Sequence, residues 1–100
     1  MSVRLVLPAA LHSCAGGARE VSAEGATLGG VLDDLAQRLP VLERRLRDER
    51  GRIRPHVLLF VDGVMVRGDR GLETAVRDGT EVFIAPAVSG GSVAGDPDRI

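Results

Sequence analysis

The sequence predicts an α+β domain in which a mixed sheet of about five strands carries one helix packed across one face. Three patterns predict this class: apolar residues alternate near the start of the chain, recur at helical spacing in one segment, and form further short runs bounded by Gly or Pro. With 100 residues, the chain is long enough for one domain with one core and too short for two.

The start of the chain predicts a hairpin. Val3, Leu5 and Leu7 alternate with polar or smaller residues, which is the two-residue period of a half-buried strand. Residues 11–17 are small and polar and end in a Gly-Gly pair, so they predict a turn. A second short strand is then expected over residues 18–22.

A helix is expected from Thr27, an N-cap residue type, to Pro40, which stops it. One apolar face is formed by Leu28, Val31, Leu32, Leu35 and Leu39. Gly29 and Gly30 weaken its first turn, but their small size would let the helix lie close to the sheet.

The middle of the chain combines a charged segment with a second hairpin. Residues 40–55 carry charges of both signs and predict a solvated loop with one short helical turn. The apolar run 57–61 predicts a strand, and Asp62-Gly63 predicts a tight turn into a further strand over residues 64–66.

The last predicted strand covers residues 81–85 and ends at Pro86. A partly buried connection over residues 72–76 and a turn at Asp78-Gly79 lead into it. The order hairpin, helix, hairpin and final strand is typical of the β-grasp type of α+β domain.

Composition limits the function. The net charge of −1 provides no global field for nucleic acid or an anionic membrane, so neither is expected as a partner. All 13 basic residues are Arg, so the folded chain has no ε-amine. A single cysteine, Cys14, excludes an internal disulfide.

The N-terminal residues lack the features of a signal peptide and no later run is long enough to span a membrane, so a cytoplasmic location is expected.

Three local features are candidate functional sites. The arginines from Arg44 to Arg54 are interrupted by acidic residues and lack an aromatic partner for base stacking, so a solvated loop is favoured over a nucleic-acid patch. His12, Cys14 and His56 have no metal-site spacing, so no metal is expected. No nucleophilic triad, carboxylate pair or phosphate loop is present, so the chain is not expected to be an enzyme.

The most informative segment follows the last strand and ends in Gly90-Gly91. Here the diglycine stands at the end of an arm that leaves a β-grasp domain. In this feature the sequence resembles the ubiquitin-like sulfur carriers of the MoaD and ThiS family, and it is most similar to their CysO type. The resemblance covers residues 1–91. It rests also on the Gly16-Gly17 turn, Val21-Ser22-Ala23 before Gly25, the Thr27-Leu28-Gly29 helix start, Asp78-Gly79, and Ala85-Pro86-Ala87-Val88.

The resemblance implies that the Gly91 carboxylate is the working group and that Gly90 gives it freedom to reach an active site. An adenylyltransferase of the ubiquitin-activating type would join Gly91 to AMP with its own ATP, and sulfur transfer would leave a thiocarboxylate. No cofactor would be bound by the carrier. In the CysO type, a pyridoxal-phosphate cysteine synthase accepts the sulfur, and a zinc metallopeptidase of the JAMM type releases cysteine.

The apolar run 57–61 has no polar face, which suggests that the open face of the sheet contacts a partner. We expect Phe83 and Ala85 to face outward if their strand neighbours face the core. An outward Leu59 follows from the ubiquitin-like resemblance, and a core position is the alternative. Pro86 and Val88 complete the predicted partner surface at the start of the arm.

The sequence departs from the family pattern after Gly91, where a carrier of this type ends. Residues 92–100 are small, polar and contain Gly and Pro, so we expect an extension that is removed between Gly91 and Ser92 by a peptidase, with the JAMM type as the candidate. Three alternatives stay open: an uncleaved β-grasp interaction module, a ubiquitin-like modifier, and a carrier for molybdopterin, thiamine or a secondary metabolite.

Overall fold

The computed structural model describes residues 1–66 and 68–86. Five strands form one sheet in the order β2-β1-β5-β3-β4. Their bounds are β1 Ser2–Val6, β2 Glu20–Glu24, β3 Val57–Val61, β4 Val64–Val66 and β5 Glu81–Pro86. Strands β1 and β5 pair in parallel, whereas the other three pairs are antiparallel. The predicted α+β class and mixed sheet are confirmed.

Helix α1, Leu28–Arg38, lies across one face of this sheet and begins as predicted. The hydroxyl of Thr27 accepts a hydrogen bond from the Gly30 backbone N–H at 3.1 Å, which satisfies one of the free donors of the first turn. The apolar positions at helical spacing, Leu28, Val31, Leu32 and Leu35, are fully buried. Each such side chain contributes about 2 kcal/mol of burial free energy.

Helix α2, Pro40–Leu46, replaces the first part of the loop that was predicted after Pro40. Pro40 ends α1 but occupies the first turn of α2, where its missing N–H needs no partner. Leu42 and Leu46 lie on one face of α2 and are fully buried. The expectation of a loop with one short helical turn was therefore wrong for residues 40–46, because two buried leucines at i, i+4 spacing pack one face of a helix on the core. Arg44 and Arg45, which lie between these leucines, are exposed as predicted.

The predicted turn over residues 11–17 is mostly a 3₁₀ helix, Ala9–Ala15, which ends at Gly16 in the left-handed conformation with φ 66°. The second strand consequently begins later than predicted, at Glu20. A short helix, α3 (Gly68–Gly71), stands in the connection before β5. Strand β5 continues through Pro86, which is in register with Val57 of β3.

One core fills the space between the sheet and the helices. Its buried residues are Val3, Leu5, Leu7, Ala23, Leu28, Val31, Leu32, Leu35, Leu42, Leu46, Leu59, Val61, Val76, Val82 and Ile84. Among the described residues, this core contains no aromatic side chain, as the composition predicts. Over the described ranges, no helix is long and apolar enough to cross a membrane.

Candidate functional site

Strand β5 presents alternate residues to the core and to the open face of the sheet. Val82 and Ile84 face the core and are at most 1% exposed. Phe83 and Ala85 therefore face outward, as predicted, and Phe83 is 47% exposed although Phe is a large apolar residue. An apolar side chain of this size, half exposed in the middle of a sheet, is typical of a contact surface.

The outward assignment of Leu59 was wrong. Leu59 is 1% exposed and is in register with Ile84, so both side chains face the core beneath the helices. The neighbouring Phe60 faces outward instead and is directly opposite Phe83 on β5. Because every residue of the run 57–61 is apolar, no alternation of polar and apolar residues shows which side chains face the core. The sequence therefore could not assign Leu59 and Phe60 to the two faces of the sheet.

Phe60 and Phe83 form the centre of an apolar row that crosses the open face. The register links Val6 to Phe83, Phe83 to Phe60, and Phe60 to Met65, on four neighbouring strands. We call these four residues the apolar row. The rings of Phe60 and Phe83 pack edge to face, with centroids 6.3 Å apart and planes at 64°. The only two aromatic residues of the chain thus lie together on an exposed surface.

Charged residues border the apolar row at the end of the sheet away from Pro86. The Arg4 guanidinium forms ion pairs with Glu81 at 3.0 Å and with Glu20 at 3.6 Å. The hydrogen bond to Glu81 and the negative charges of Glu20 and Glu81 raise the pKa of Arg4. Because these groups are exposed, they contribute little to stability, but they limit the apolar surface on this side.

The arm begins at the opposite end of the sheet, where Pro86 is exposed. Val88, Gly90, Gly91 and Ser92 lie outside the described residues. A chain extends by at most about 3.5 Å per residue, so residues 87–91 can carry the Gly91 carboxylate no more than about 17 Å beyond Pro86. A protein that acts on Gly91 must therefore approach this end of the domain, next to the apolar row.

The three residues considered as metal ligands lie in two separate parts of the fold. His12 and Cys14 are in the 3₁₀ helix, and His56 precedes β3. A ring nitrogen of His12 lies 3.1 Å from the Leu7 carbonyl oxygen, which accounts for that side chain. Within residues 1–66 and 68–86, no three potential ligand side chains come together as a metal site.

Comparison with known proteins identifies relatives over nearly the whole chain. Residues 5–91 match the model described as the ThiS family. Sulfur carrier protein CysO of Mycobacterium tuberculosis is 40% identical over 93 residues, covering 91% of this chain and 100% of CysO.

Solved structures share the fold. The crystal structure of Mycobacterium tuberculosis CysO matches with a TM-score of 0.78 at 39% identity, covering 86% of this chain and 99% of CysO. SAMP1 from Haloferax volcanii matches with a TM-score of 0.74 at 32% identity, covering 91% and 100% of the two chains. A chain of the Amycolatopsis orientalis BexX/CysO complex matches with a TM-score of 0.73 at 33% identity, covering 89% and 99%.

The family match includes the Gly90-Gly91 pair and all five strands apart from the first residues of β1. This chain's mixed sheet with helices on one face matches the ubiquitin-like fold of CysO, so the predicted β-grasp type is confirmed. The chain therefore belongs to the ThiS family of ubiquitin-like sulfur carriers.

Proposed function

We propose that this protein carries sulfur as a thiocarboxylate on Gly91 and is a cosubstrate of other enzymes. The observation that supports this most strongly is the place of the diglycine. In a ThiS-family domain, strand β5 ends at the exposed Pro86, and Gly90-Gly91 follows four residues later in the sequence. Glycines suit this position because a side-chain-free arm enters a narrow active site and adopts angles closed to other residues.

The chemistry requires two exchanges at the Gly91 carbonyl. One carboxylate oxygen attacks the α-phosphorus of ATP and pyrophosphate leaves, which gives an acyl adenylate. A persulfide sulfur then attacks the carbonyl and AMP leaves. Cleavage of the resulting acyl disulfide by a thiol releases the thiocarboxylate, while the thiol sulfur joins the departing donor in a disulfide.

The apolar row is the surface that we assign to the activating enzyme, an adenylyltransferase that binds its own ATP. Phe83 is 47% exposed and Met65 is 38% exposed, so both can transfer apolar surface from water to a partner. The position of the row beside the origin of the arm lets one enzyme contact the sheet and the arm together. Ala85 and Pro86 extend this surface toward the arm, and Val88 is assigned to it from the sequence alone.

Removal of residues 92–100 must precede activation, because an internal Gly91 has no free carboxylate. We assign this cleavage, between Gly91 and Ser92, to a zinc metallopeptidase of the JAMM type. Intact-mass measurement of protein from the native host tests the step. A species ending at Gly91 is expected, whereas only chains that retain Ile100 would exclude it.

Cysteine biosynthesis is the pathway that we favour, with a pyridoxal-phosphate cysteine synthase as the sulfur acceptor. The support is the 40% identity with a relative named sulfur carrier protein CysO. Molybdopterin, thiamine or a secondary metabolite are alternative destinations that would use the same arm. SAMP1 from Haloferax volcanii, to which this chain is similar, is a small archaeal modifier protein. That similarity favours a second candidate function, in which Gly91 forms amides on other proteins.

A single incubation separates the carrier from the modifier. Residues 1–91 are mixed with ATP, a sulfur donor, the host's activating enzyme and host extract, and all products are identified by mass spectrometry. Exchange of one terminal oxygen for sulfur is the result expected of a carrier. Adducts to lysines of other proteins without any thiocarboxylate would favour the modifier instead.

A further inference from the structure

A small groove lies where the arm leaves the sheet. Its volume is about 220 Å³, and its apolar lining includes Leu11 of the 3₁₀ helix, Val57 of β3, and Ala85 and Pro86 of β5. We call it the arm groove. Because Pro86 forms part of its wall, the arm begins at the groove itself. The groove is separate from the apolar row, although Ala85 joins the two surfaces.

Basic residues lie on one side of the groove. Arg45 and His56 line both the arm groove and a neighbouring depression, which Arg44 and Arg54 complete. We call these four residues the basic rim. Arg54 is held in place because its Nε donates a hydrogen bond to the Arg44 carbonyl oxygen at 2.7 Å.

The positive charge of the rim is only partly compensated. Arg4, Arg38 and Arg47 each form an ion pair with a carboxylate. By contrast, neither the Arg44 nor the Arg45 guanidinium forms an ion pair with any residue in the described part of the chain. Arg45 lines the groove, whereas Arg44 lies beside it and also lines a depression with Glu43, Asp48 and Glu49. Two exposed cations that form no ion pair in the described residues, beside an apolar groove, are complementary to a segment that carries an apolar side chain next to carboxylates.

We propose that the arm groove and basic rim bind such an acidic and apolar segment of the activating enzyme. This inference rests on the proposed function, because it names a second contact for the enzyme that adenylates Gly91. The enzyme fits this position because it must hold the domain through both exchanges at the Gly91 carbonyl. A contact at the origin of the arm limits the distance over which the arm has to search for the ATP.

The basic rim acts in binding and takes no part in the chemical steps. Residues 87–91 place the reacting carbonyl up to about 17 Å beyond Pro86, so in an extended arm the rim cannot touch the α-phosphate. Loss of the rim should therefore raise the KM for the carrier and leave kcat nearly unchanged. Salt should weaken the same contact, since exposed charges are screened.

The test compares two double variants of residues 1–91, which contain every strand and helix of the described fold. Arg44→Gln with Arg45→Gln removes the two charges that form no ion pair in the described residues and keeps a side chain of good helix propensity. Arg70→Gln with Arg77→Gln removes the same charge from exposed residues that line neither the groove nor the rim. Carrier-dependent ATP–pyrophosphate exchange by the host's activating enzyme gives KM and kcat, and circular dichroism confirms folding of each variant.

We expect KM to rise about tenfold for the Arg44/Arg45 variant and to change less than about twofold for the Arg70/Arg77 variant. The salt dependence of KM should be smaller in the first variant than in the wild type. Ala10→Trp, which places an indole into the groove without changing charge, should also raise KM. Ala10 lies in the 3₁₀ helix and is exposed, so the larger side chain does not enter the core.

The outcomes separate this inference from the proposed function. Equal KM values for both double variants would overturn the inference, and activity of the wild type in that assay would leave the proposed function standing. If an activating enzyme that is active on another substrate never adenylates the wild-type carrier, both the inference and the proposed function are wrong. If sedimentation shows a dimer of residues 1–91 that the Arg44/Arg45 variant dissociates, the occupant is a second copy and the inference is wrong.

Discussion

Gly25 makes a close contact between the end of β2 and helix α1. A Cβ atom at this position would lie 2.5 Å from the Val31 nitrogen and 2.7 Å from the Gly30 carbonyl carbon. Both are backbone atoms, which cannot turn away as a flexible side chain could. The glycine that the sequence shows before the helix is therefore required by packing, although its φ is not in the left-handed region.

Replacement of this glycine gives a stability test with a matched control. Gly25→Ala should destabilise the fold by about 1–3 kcal/mol because the backbone of α1 must move. Gly30→Ala adds the same methyl group on the helix side of this contact, where the nearest atoms are Thr27 Oγ1 at 3.5 Å and Gly25 Cα at 3.6 Å, and should stabilise the helix by up to about 1 kcal/mol. Urea unfolding followed by circular dichroism measures both. Equal effects of the two changes would refute the packing argument.

Gly29 makes a close contact that differs from the one expected from the sequence. The sequence suggested that the small residues of the first turn let the helix lie close to the sheet. The close approach is instead to the connection before β5, where a Cβ on Gly29 would lie 3.1 Å from the Leu72 carbonyl oxygen. The Gly29 N–H donates to that oxygen at 2.8 Å. A contact between segments far apart in the sequence has no local pattern that could reveal it.

Phe83 is the residue through which the apolar row is tested. Phe83→Ser should raise the KM for the carrier with the activating enzyme about tenfold, because a half-exposed aromatic side chain contributes strongly when a partner buries it. Loss of its edge-to-face contact with Phe60 should cost only about 1 kcal/mol of stability. Val64→Ser, at a side chain that is 67% exposed and outside the row, serves as the control. A similar KM for both variants would count against the row as a partner surface.

At the scale of elements, α2 is attached to α1 by a charged network. The Arg47 guanidinium donates to Glu43 at 2.7 Å and to Asp33 of α1 at 2.9 Å, although Arg47 is only 8% exposed. In the sequence, Arg47 is one of several charged residues in a segment of mixed sign, and only Leu42 and Leu46 indicate a buried face. Mixed charge alone predicts solvation, but part of this charge joins two helices. Burial of an arginine depends on partners that tertiary packing supplies.

Strand β2 is attached to α1 through Asp34. Its carboxylate accepts hydrogen bonds from Arg38 at 2.8 Å and from the Glu24 backbone N–H at 2.9 Å. The hydrogen bond from Arg38, followed by that from Glu24, lowers the pKa of Asp34 below its ordinary value. A carboxylate with a lowered pKa in the folded state stabilises the fold above the unfolded value of about 3.9. That contribution is lost as pH falls through the folded value.

The Asp34 contact gives the fold a specific acid sensitivity. We expect Asp34→Asn to lower the urea midpoint at pH 7 and to reduce the further loss between about pH 5 and pH 2. Glu73→Gln, at an exposed residue that forms no ion pair within the described ranges, should retain the wild-type pH profile. Urea titrations at several pH values provide the measurement. An Asp34→Asn variant with the full wild-type acid loss would contradict this assignment.

At the scale of the whole molecule, sheet order places the functional surfaces together. Strands β1 and β5 come from opposite ends of the described chain and pair at the centre of the sheet, so the arm leaves from the middle of the domain. The antiparallel register of β3 with β5 then brings Phe60 opposite Phe83. The five strands, α1 and the diglycine could be predicted from local patterns, whereas α2 and the 3₁₀ helix were predicted as a loop and a turn. The register of non-local strands, the apolar row and the basic rim could not, because each depends on residues far apart in the sequence.

In the proposed function, a free Gly91 carboxylate is the group on which other enzymes act. ATP–pyrophosphate exchange by the host's activating enzyme, compared for residues 1–91 and for the 100-residue chain, tests it most directly. We expect exchange that depends on residues 1–91 and is absent with the longer chain until a peptidase exposes Gly91. Equal exchange with both chains, or none with residues 1–91 when the enzyme activates another substrate, would contradict it.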